Sequence, residues 1–309
     1  MLIAIIISIL ILAAVLYGAR FAYRIAFYSR NNGPHDPYAI PPGEQYEKVA
    51  DRMLQHIYEL EQLPYEQIYI SSYDGTQLAA RYYHNGDSAP LVIQFHGYRG
   101  NSIREFSGGS KLACRVGYNC LVVDQRAHGK SGGHTISFGI RERYDCKAWA
   151  EFAAQRFSNV PIILSGVSMG AATVLMASDL SLPSNVRGII ADCPYASPGA
   201  IIRKVCADMK LPQYILYPFV ALGGFLFGGF KIWEASAIDS VRNTHLPILL
   251  IHGEDDRFVP CEMSKEIYNA CAGEKTLLTI PMAGHGICYL VDTDQYEKAF
   301  ESFIRKHCC

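Results

Sequence analysis

Hydrophobic and polar positions change rhythm several times along the chain, and each rhythm predicts a different element. Leu2 to Ala19 carries no charge and consists mostly of Leu, Ile, Ala and Val. As a helix it is long enough to cross a bilayer core of about 30 Å. Asn31 to Pro42, rich in Gly, Pro and Asn, reads as a linker, and Glu44 to Leu63 has helical spacing with mixed charges. Gln67 to Ser72 and Gln77 to Tyr83 flank Asp74-Gly75, the pattern of a hairpin at a sheet edge. Beyond them, uninterrupted apolar runs at Leu91–Phe95, Cys120–Val123, Pro161–Leu164, Val186–Ala191, Ile248–Ile251 and Leu277–Ile280 read as buried parallel strands. Amphipathic stretches such as Ile140 to Phe157 and Met169 to Ser178 have the length of crossover helices. The whole predicts an α/β chain with a doubly wound, mostly parallel, eight-stranded sheet.

Composition narrows the class. The 309 residues are 50% hydrophobic and 18% charged, which excludes a disordered chain, and a formal charge of −1 offers no excess of positive charge to draw nucleic acid. The ten cysteines form no C-x-x-C pair and no regular disulfide or zinc spacing, so free thiols in a reducing compartment are expected. Arg20, Arg24 and Arg30 lie on the C-terminal flank of the first apolar run, and Lys and Arg are absent ahead of it. The positive-inside rule then predicts a single-pass anchor with the bulk of the protein in the cytoplasm, in preference to a cleaved signal peptide.

The sharpest chemical signal is Gly166-Val167-Ser168-Met169-Gly170, directly after one apolar strand and directly before a helix. A strand-to-helix turn this tight strains the backbone, and glycines two residues either side leave room for strand and helix to cross. The strain exposes the Ser168 hydroxyl. A serine hydroxyl is a weak nucleophile, so a base must take its proton and a carboxylate must orient that base. Asp256, just past the strand Ile248–Ile251, puts a carboxylate at the C-terminal sheet edge, while its neighbours Glu254 and Asp255 read as surface charge. His285, in Ala283-Gly284-His285-Gly286 after the last apolar strand, is the base. The order Ser, Asp, His is the order such a fold requires. Backbone N–H groups of Met169 and of Tyr98, the latter in His96-Gly97-Tyr98-Arg99-Gly100, are the expected oxyanion donors.

Leu211 to Phe230 carries no charge between Lys210 and Lys231. A second membrane crossing there would put Ser168 on one side of the bilayer and Asp256 and His285 on the other. The stretch therefore reads as part of an apolar cap inserted between the sixth and seventh strands, either resting on the membrane surface or buried without membrane contact. The expected organisation is an anchor over 1–19, a linker and helical lead-in over 20–65, and a catalytic domain over 66–309 with its cap at 195–245.

His96-Gly97, the loop Asp124 to Ser131, the turn at Ser168, Gly253 to Pro260 and Gly284-His285 together resemble the α/β-hydrolase superfamily, from about Gln67 to the C-terminus. Within it the chain resembles bacterial small esterases and prolyl-oligopeptidase-related hydrolases. The resemblance implies an acyl-enzyme mechanism with no cofactor. A membrane-anchored carboxylic ester hydrolase acting on an acyl or lipid-like substrate is expected. A thioesterase or a peptidase acting on short peptides uses the same groups, and a non-catalytic binding module is the reading from another class.

Overall fold

The computed structural model describes residues 1–30, 36–158 and 160–308. The first five residues of the linker read at Asn31–Pro42, and Cys309, lie outside the described residues. The Asp74-Gly75 signal is a hairpin: β1 (Glu66–Ser71) and β2 (Gln77–Tyr83) pair antiparallel, with Tyr69 opposite Ala79, and Gly75 takes the positive φ of 81° that the turn needs. The six apolar runs are β3 (Leu91–Phe95), β4 (Asn119–Asp124), β5 (Ile162–Val167), β6 (Val186–Asp192), β7 (Ile248–Gly253) and β8 (Lys275–Ile280). They join the hairpin in one sheet of order β1-β2-β4-β3-β5-β6-β7-β8, antiparallel at the hairpin and parallel from β4 onward. The reversal of strand order around β3 brings the C-terminal ends of β3, β5, β6 and β7 to one edge, where a ligand crevice opens in sheets of this kind.

Helices cover both faces, which is why the central strands read as continuous apolar runs. In chain order they are α1 (Leu2–Ala26), α2 (Glu44–Glu47), α3 (Ala50–Glu61), α4 (Ser102–Arg115), α5 (Glu142–Arg156), α6 (Met169–Ala177), α7 (Pro198–Asp208), α8 (Gln213–Gly223), α9 (Ala237–Ser240), α10 (Cys261–Ala270), α11 (Cys288–Val291) and α12 (Thr293–Cys308). One face sends Leu91, Ile93, Phe95, Ile162, Leu164 and Ile189 into the core formed with Trp149 and Ala153 of α5 and Val174 of α6. The alternate positions Val92, Ile163, Ile190 and Leu249 meet Phe300, Phe303 and Ile304 of α12 on the other. No disulfide joins the eight described cysteines, and Cys120, Cys146, Cys193, Cys206, Cys271 and Cys288 are buried.

Two expectations change in detail. The helical stretch read at Glu44–Leu63 is broken at Lys48 and Val49 into α2 and α3. The break lets Tyr46 turn toward the sheet edge while Met53, Ile57 and Leu60 of α3 bury their own face. The segment between β6 and β7 carries α7, α8, a π-helical turn at Gly224–Gly228 and α9, and α8 packs on the C-terminal half of α1. The two backbones come close: a Cβ on Gly223 would lie 2.4 Å from the Ala19 carbonyl oxygen. Beyond the helix, Phe27 is fully buried, edge-on to Phe138 at 5.7 Å and to Phe230 at 5.1 Å. Each such ring pair contributes about 0.5–1.5 kcal/mol beyond area burial. The first half of α1, Leu2 to Ala14, stands clear of the body with its apolar side chains exposed, and in the second half Leu16, Tyr17, Phe21 and Ile25 are exposed as well while Ala19 and Tyr23 are buried.

Candidate active site

Sterics dictate the turn between β5 and α6. Ser168 sits at φ 56° and ψ −115°, a region non-glycine residues rarely occupy and one that costs about 1–3 kcal/mol. The neighbouring glycines are there because nothing larger fits: a Cβ on Gly166 would lie 2.3 Å from the Gly170 backbone, and one on Gly170 would lie 1.8 Å from the Phe95 carbonyl oxygen. The Ser168 N–H donates to the Asp192 carbonyl at 2.8 Å, tying the turn to β6.

The three side chains singled out from the sequence come together. His285 Nε2 lies 2.9 Å from Ser168 Oγ, and His285 Nδ1 lies 2.7 Å from Asp256 Oδ2. Asp256 is buried, and its Oδ1 accepts the N–H groups of Phe258 at 2.9 Å and Val259 at 2.8 Å. Behind it, His252 Nε2 is 2.8 Å from the Val259 carbonyl, which can only accept, so that nitrogen carries the proton and also faces Asp256 Oδ2 at 3.3 Å. Burial pushes the Asp256 carboxyl up, but hydrogen bonds from His252 and His285, the His285 charge and the Val259 N–H outweigh it. The group is held well below the usual carboxylate range and stays ionised. Glu254 and Asp255 are exposed, and Glu254 is bonded to Thr279 instead. Phe258 closes over His285 with ring centroids 5.0 Å apart.

The two N–H groups read as oxyanion donors, those of Tyr98 and Met169, have no protein acceptor among the described residues. Between β3 and α4, Gly97 donates its N–H to the Glu105 carboxylate. Sequence reasoning passed over Glu105, although Ser102-Ile103-Arg104-Glu105 carries the spacing of a capping box.

Sequence reasoning also missed the wall of the site. A cavity of about 480 Å³ beside Ser168 is lined by Ile40, Pro41, Tyr46 and Met53 of the lead-in, together with Phe106 and Tyr289. The Tyr46 hydroxyl donates to the His285 carbonyl oxygen at 3.0 Å, and Arg104 Nη1 donates to the Ala39 carbonyl at 2.8 Å. No residue of α7, α8 or α9 lines this cavity. The pair Pro41-Pro42 followed by Tyr46 was the available signal, a stiff segment carrying an amphipathic ring. Cys193, Asp256 and His285 bring potential metal-ligand atoms within 4.8 Å of one another. Burial holds the Cys193 thiol well above its ordinary value, so it stays protonated, and the other two are committed to each other.

Asp192, at the end of β6, is a second buried carboxyl beside these groups. Burial pushes it up to about 6 against the lowering effect of His252, His285, Tyr296 and Cys288. A carboxyl whose native pKa lies above the unfolded value of about 3.9 stabilises the fold in its protonated form, and that contribution disappears as pH rises through the native pKa. The melting temperature of Asp192→Asn relative to wild type is therefore expected to climb between about pH 4 and pH 6 and to level off above. Thermal melts across that range check it; a flat difference would show that Asp192 ionises as freely as in the unfolded chain.

The chain has the α/β-hydrolase fold, and the family profiles that match parts of it are those of serine hydrolases. The serine aminopeptidase (S33) family profile matches residues 86–217, and the serine hydrolase (FSH1) profile matches residues 199–287. Among curated proteins, the uncharacterized protein YqkD of Bacillus subtilis is 28% identical over 220 residues, 71% of this chain and 72% of that one. The lysophosphatidylserine lipase ABHD12 of Danio rerio is 25% identical over 203 residues, 62% of this chain and 49% of that one. Among solved structures, the Pyrococcus furiosus esterase Pf2001 superposes with a TM-score of 0.64 at 23% identity, covering 91% of this chain and 100% of that one.

Proposed function

We propose that this protein is a membrane-anchored carboxylic ester hydrolase in which Ser168 is the nucleophile, His285 the general base and Asp256 the orienting carboxylate. The observation that carries the reading is the unbroken hydrogen-bonded series from Ser168 Oγ through His285 to Asp256, at 2.9 and 2.7 Å. His285 Nε2 takes the hydroxyl proton as Ser168 Oγ bonds the ester carbonyl carbon, and the carbonyl electron pair moves onto its oxygen, facing the N–H groups of Tyr98 and Met169. Collapse of that intermediate expels the alcohol, which leaves with the proton from His285. Water, deprotonated by the same imidazole, then attacks the acyl group on Ser168, and the second collapse returns the hydroxyl and releases the acid. Asp256 stays ionised throughout and steadies the imidazolium.

An acyl or lipid-like ester is favoured by the apolar side chains of Ile40, Met53, Phe106 and Leu290 in the otherwise mixed lining of the cavity, and by the lipase activity that the Danio rerio relative's name carries. The match to the serine aminopeptidase profile keeps amides as the second reading, with thioesters beside them. A panel of p-nitrophenyl esters of graded chain length, acyl thioesters and aminoacyl amides tests the choice. The highest kcat/KM is expected on a medium- or long-chain ester, and a preference for the amides would overturn it.

The anchor reading rests on α1. From Leu2 to Ala19, ahead of the first charge at Arg20, the helix measures about 27 Å at about 1.5 Å per residue. Spanning about 30 Å of hydrocarbon therefore takes in the residues that pack on α8. In this reading the bilayer surface meets α8, and the exposed Tyr214, Ile215, Phe225 and Leu226 enter the headgroup region beside it. Arg20, 5.5 Å over the Phe227 ring, and Arg24, over Tyr28, sit on the cytoplasmic flank. Retention in membranes washed with alkaline carbonate is expected, and release of the intact chain would sink the anchor.

A further inference from the structure

The C-terminal end of α1 is joined to the loop that carries one of the oxyanion donors. The last carbonyls of any helix lack intrahelical partners and form its negative pole, so they attract donors and cations. In this chain they are taken by two consecutive residues of the loop after β3. The Tyr98 hydroxyl donates to the Ala26 carbonyl at 2.8 Å, and Arg99 Nη2 donates to the Ile25 carbonyl at 2.7 Å and to the Tyr28 carbonyl at 3.2 Å. The Tyr98 ring stacks on Phe138 at 4.9 Å, and Phe138 in turn meets Phe27. Burial pushes the Tyr98 phenol up, so it remains a donor.

The backbone these side chains hold is itself unusual. Arg99 has a positive φ of 51°, and its N–H donates to His128 Nε2 at 3.0 Å. Gly97 is held on the other side by the Glu105 carboxylate. The peptide between them, the one that presents the Tyr98 N–H, is thus held from three directions, and α1 supplies one of them. Oxyanion stabilisation depends on a donor being aimed before the charge forms, so a small rotation of that peptide lowers the rate without altering ground-state binding.

We propose that α1 is a positioning element of the active site: through the Tyr98 hydroxyl and the Arg99 guanidinium its C-terminal carbonyls fix the peptide that presents the Tyr98 N–H to the reacting carbonyl. The inference rests on the reading of Ser168 as nucleophile and of that N–H as an oxyanion donor. A tethering helix with no other duty would need no bonds to this loop.

The test uses the full chain in detergent micelles, with active sites counted by a fluorophosphonate probe. Tyr98→Phe keeps the backbone N–H and the ring stack and removes only the hydroxyl; Tyr98→Phe with Arg99→Gln removes both links. Expected is a fall in kcat per titrated site of about tenfold for the single variant and more for the double, with KM within about twofold. Affinity for an aryl boronate, which forms a tetrahedral adduct on the serine, is expected to fall by the same factor as kcat. Wild-type kcat per titrated site in the double variant, or a lower kcat with unchanged boronate affinity, would overturn the inference while leaving the triad standing. A wild type that neither reacts with the probe nor turns over an ester sinks both.

Discussion

Ser168→Ala is expected to lower turnover of a p-nitrophenyl ester by roughly 10⁶-fold and to abolish labelling by a fluorophosphonate. The size of the effect follows from what is removed. The alanine keeps the strained turn, since the strain comes from Gly166 and Gly170 and from the N–H donated to Asp192, but no atom remains to bond the carbonyl carbon. What survives is the catalysis that oxyanion donors and binding give a bound water, about 10³- to 10⁴-fold over solution. Steady-state kinetics and mass spectrometry of the labelled chain check it. Labelling that persists at another serine, with turnover unchanged, would move the nucleophile elsewhere.

The second large effect concerns the carboxylate. Asp256→Asn is expected to cost roughly 10⁴-fold in kcat, because an amide at this position either leaves His285 Nδ1 without an acceptor or favours the tautomer whose Nε2 cannot take the serine proton. The fold is expected to survive, as the Phe258 and Val259 N–H groups can still donate to an amide oxygen. Asp255→Asn, changing an exposed side chain, is the matched control and is expected to behave as wild type. The reverse outcome, with Asp255 essential and Asp256 dispensable, would reject the assignment.

Some of this arrangement was legible in the residues and some was not, and the division follows sequence distance. The turn at Ser168 is encoded locally: two glycines, a strand before and a helix after leave one way to cross, so five residues carry the geometry. Asp256 and His285 stand out in the sequence because each follows an apolar strand, and parallel strands deliver whatever follows them to one edge. Choosing Asp256 over Glu254 and Asp255 was less secure locally, because burial decides among them and burial is a property of the packed fold. The lead-in was not read as a wall of the site. Pro41-Pro42 and Tyr46 mark a stiff segment with an aromatic ring, but Tyr46 meets His285 across 239 positions, and the local pattern does not name a partner so far along the chain. The same holds for α1, whose apolar run announces a span but not the helix that its second half packs against. The insertion between β6 and β7 was read as an apolar cap, and its apolar side chains are divided among the main core, α1 and the surface, while the cavity is walled from elsewhere.

The interior thiols have a practical corollary for anyone probing this chain chemically. Six of the eight described cysteines are buried, and burial raises the Cys271 thiol to about 11 and Cys206 also upward, so little thiolate is presented to a reagent while the molecule stays closed. Among the eight described thiols, a maleimide added to the native protein will therefore report the half-buried Cys261 and Cys308 first, and the other six only at the pace of breathing and unfolding. Sidedness across a bilayer is better read from a thiol introduced at an exposed position such as Lys298, whereas slow modification of the native set offers a clock for how often the interior opens.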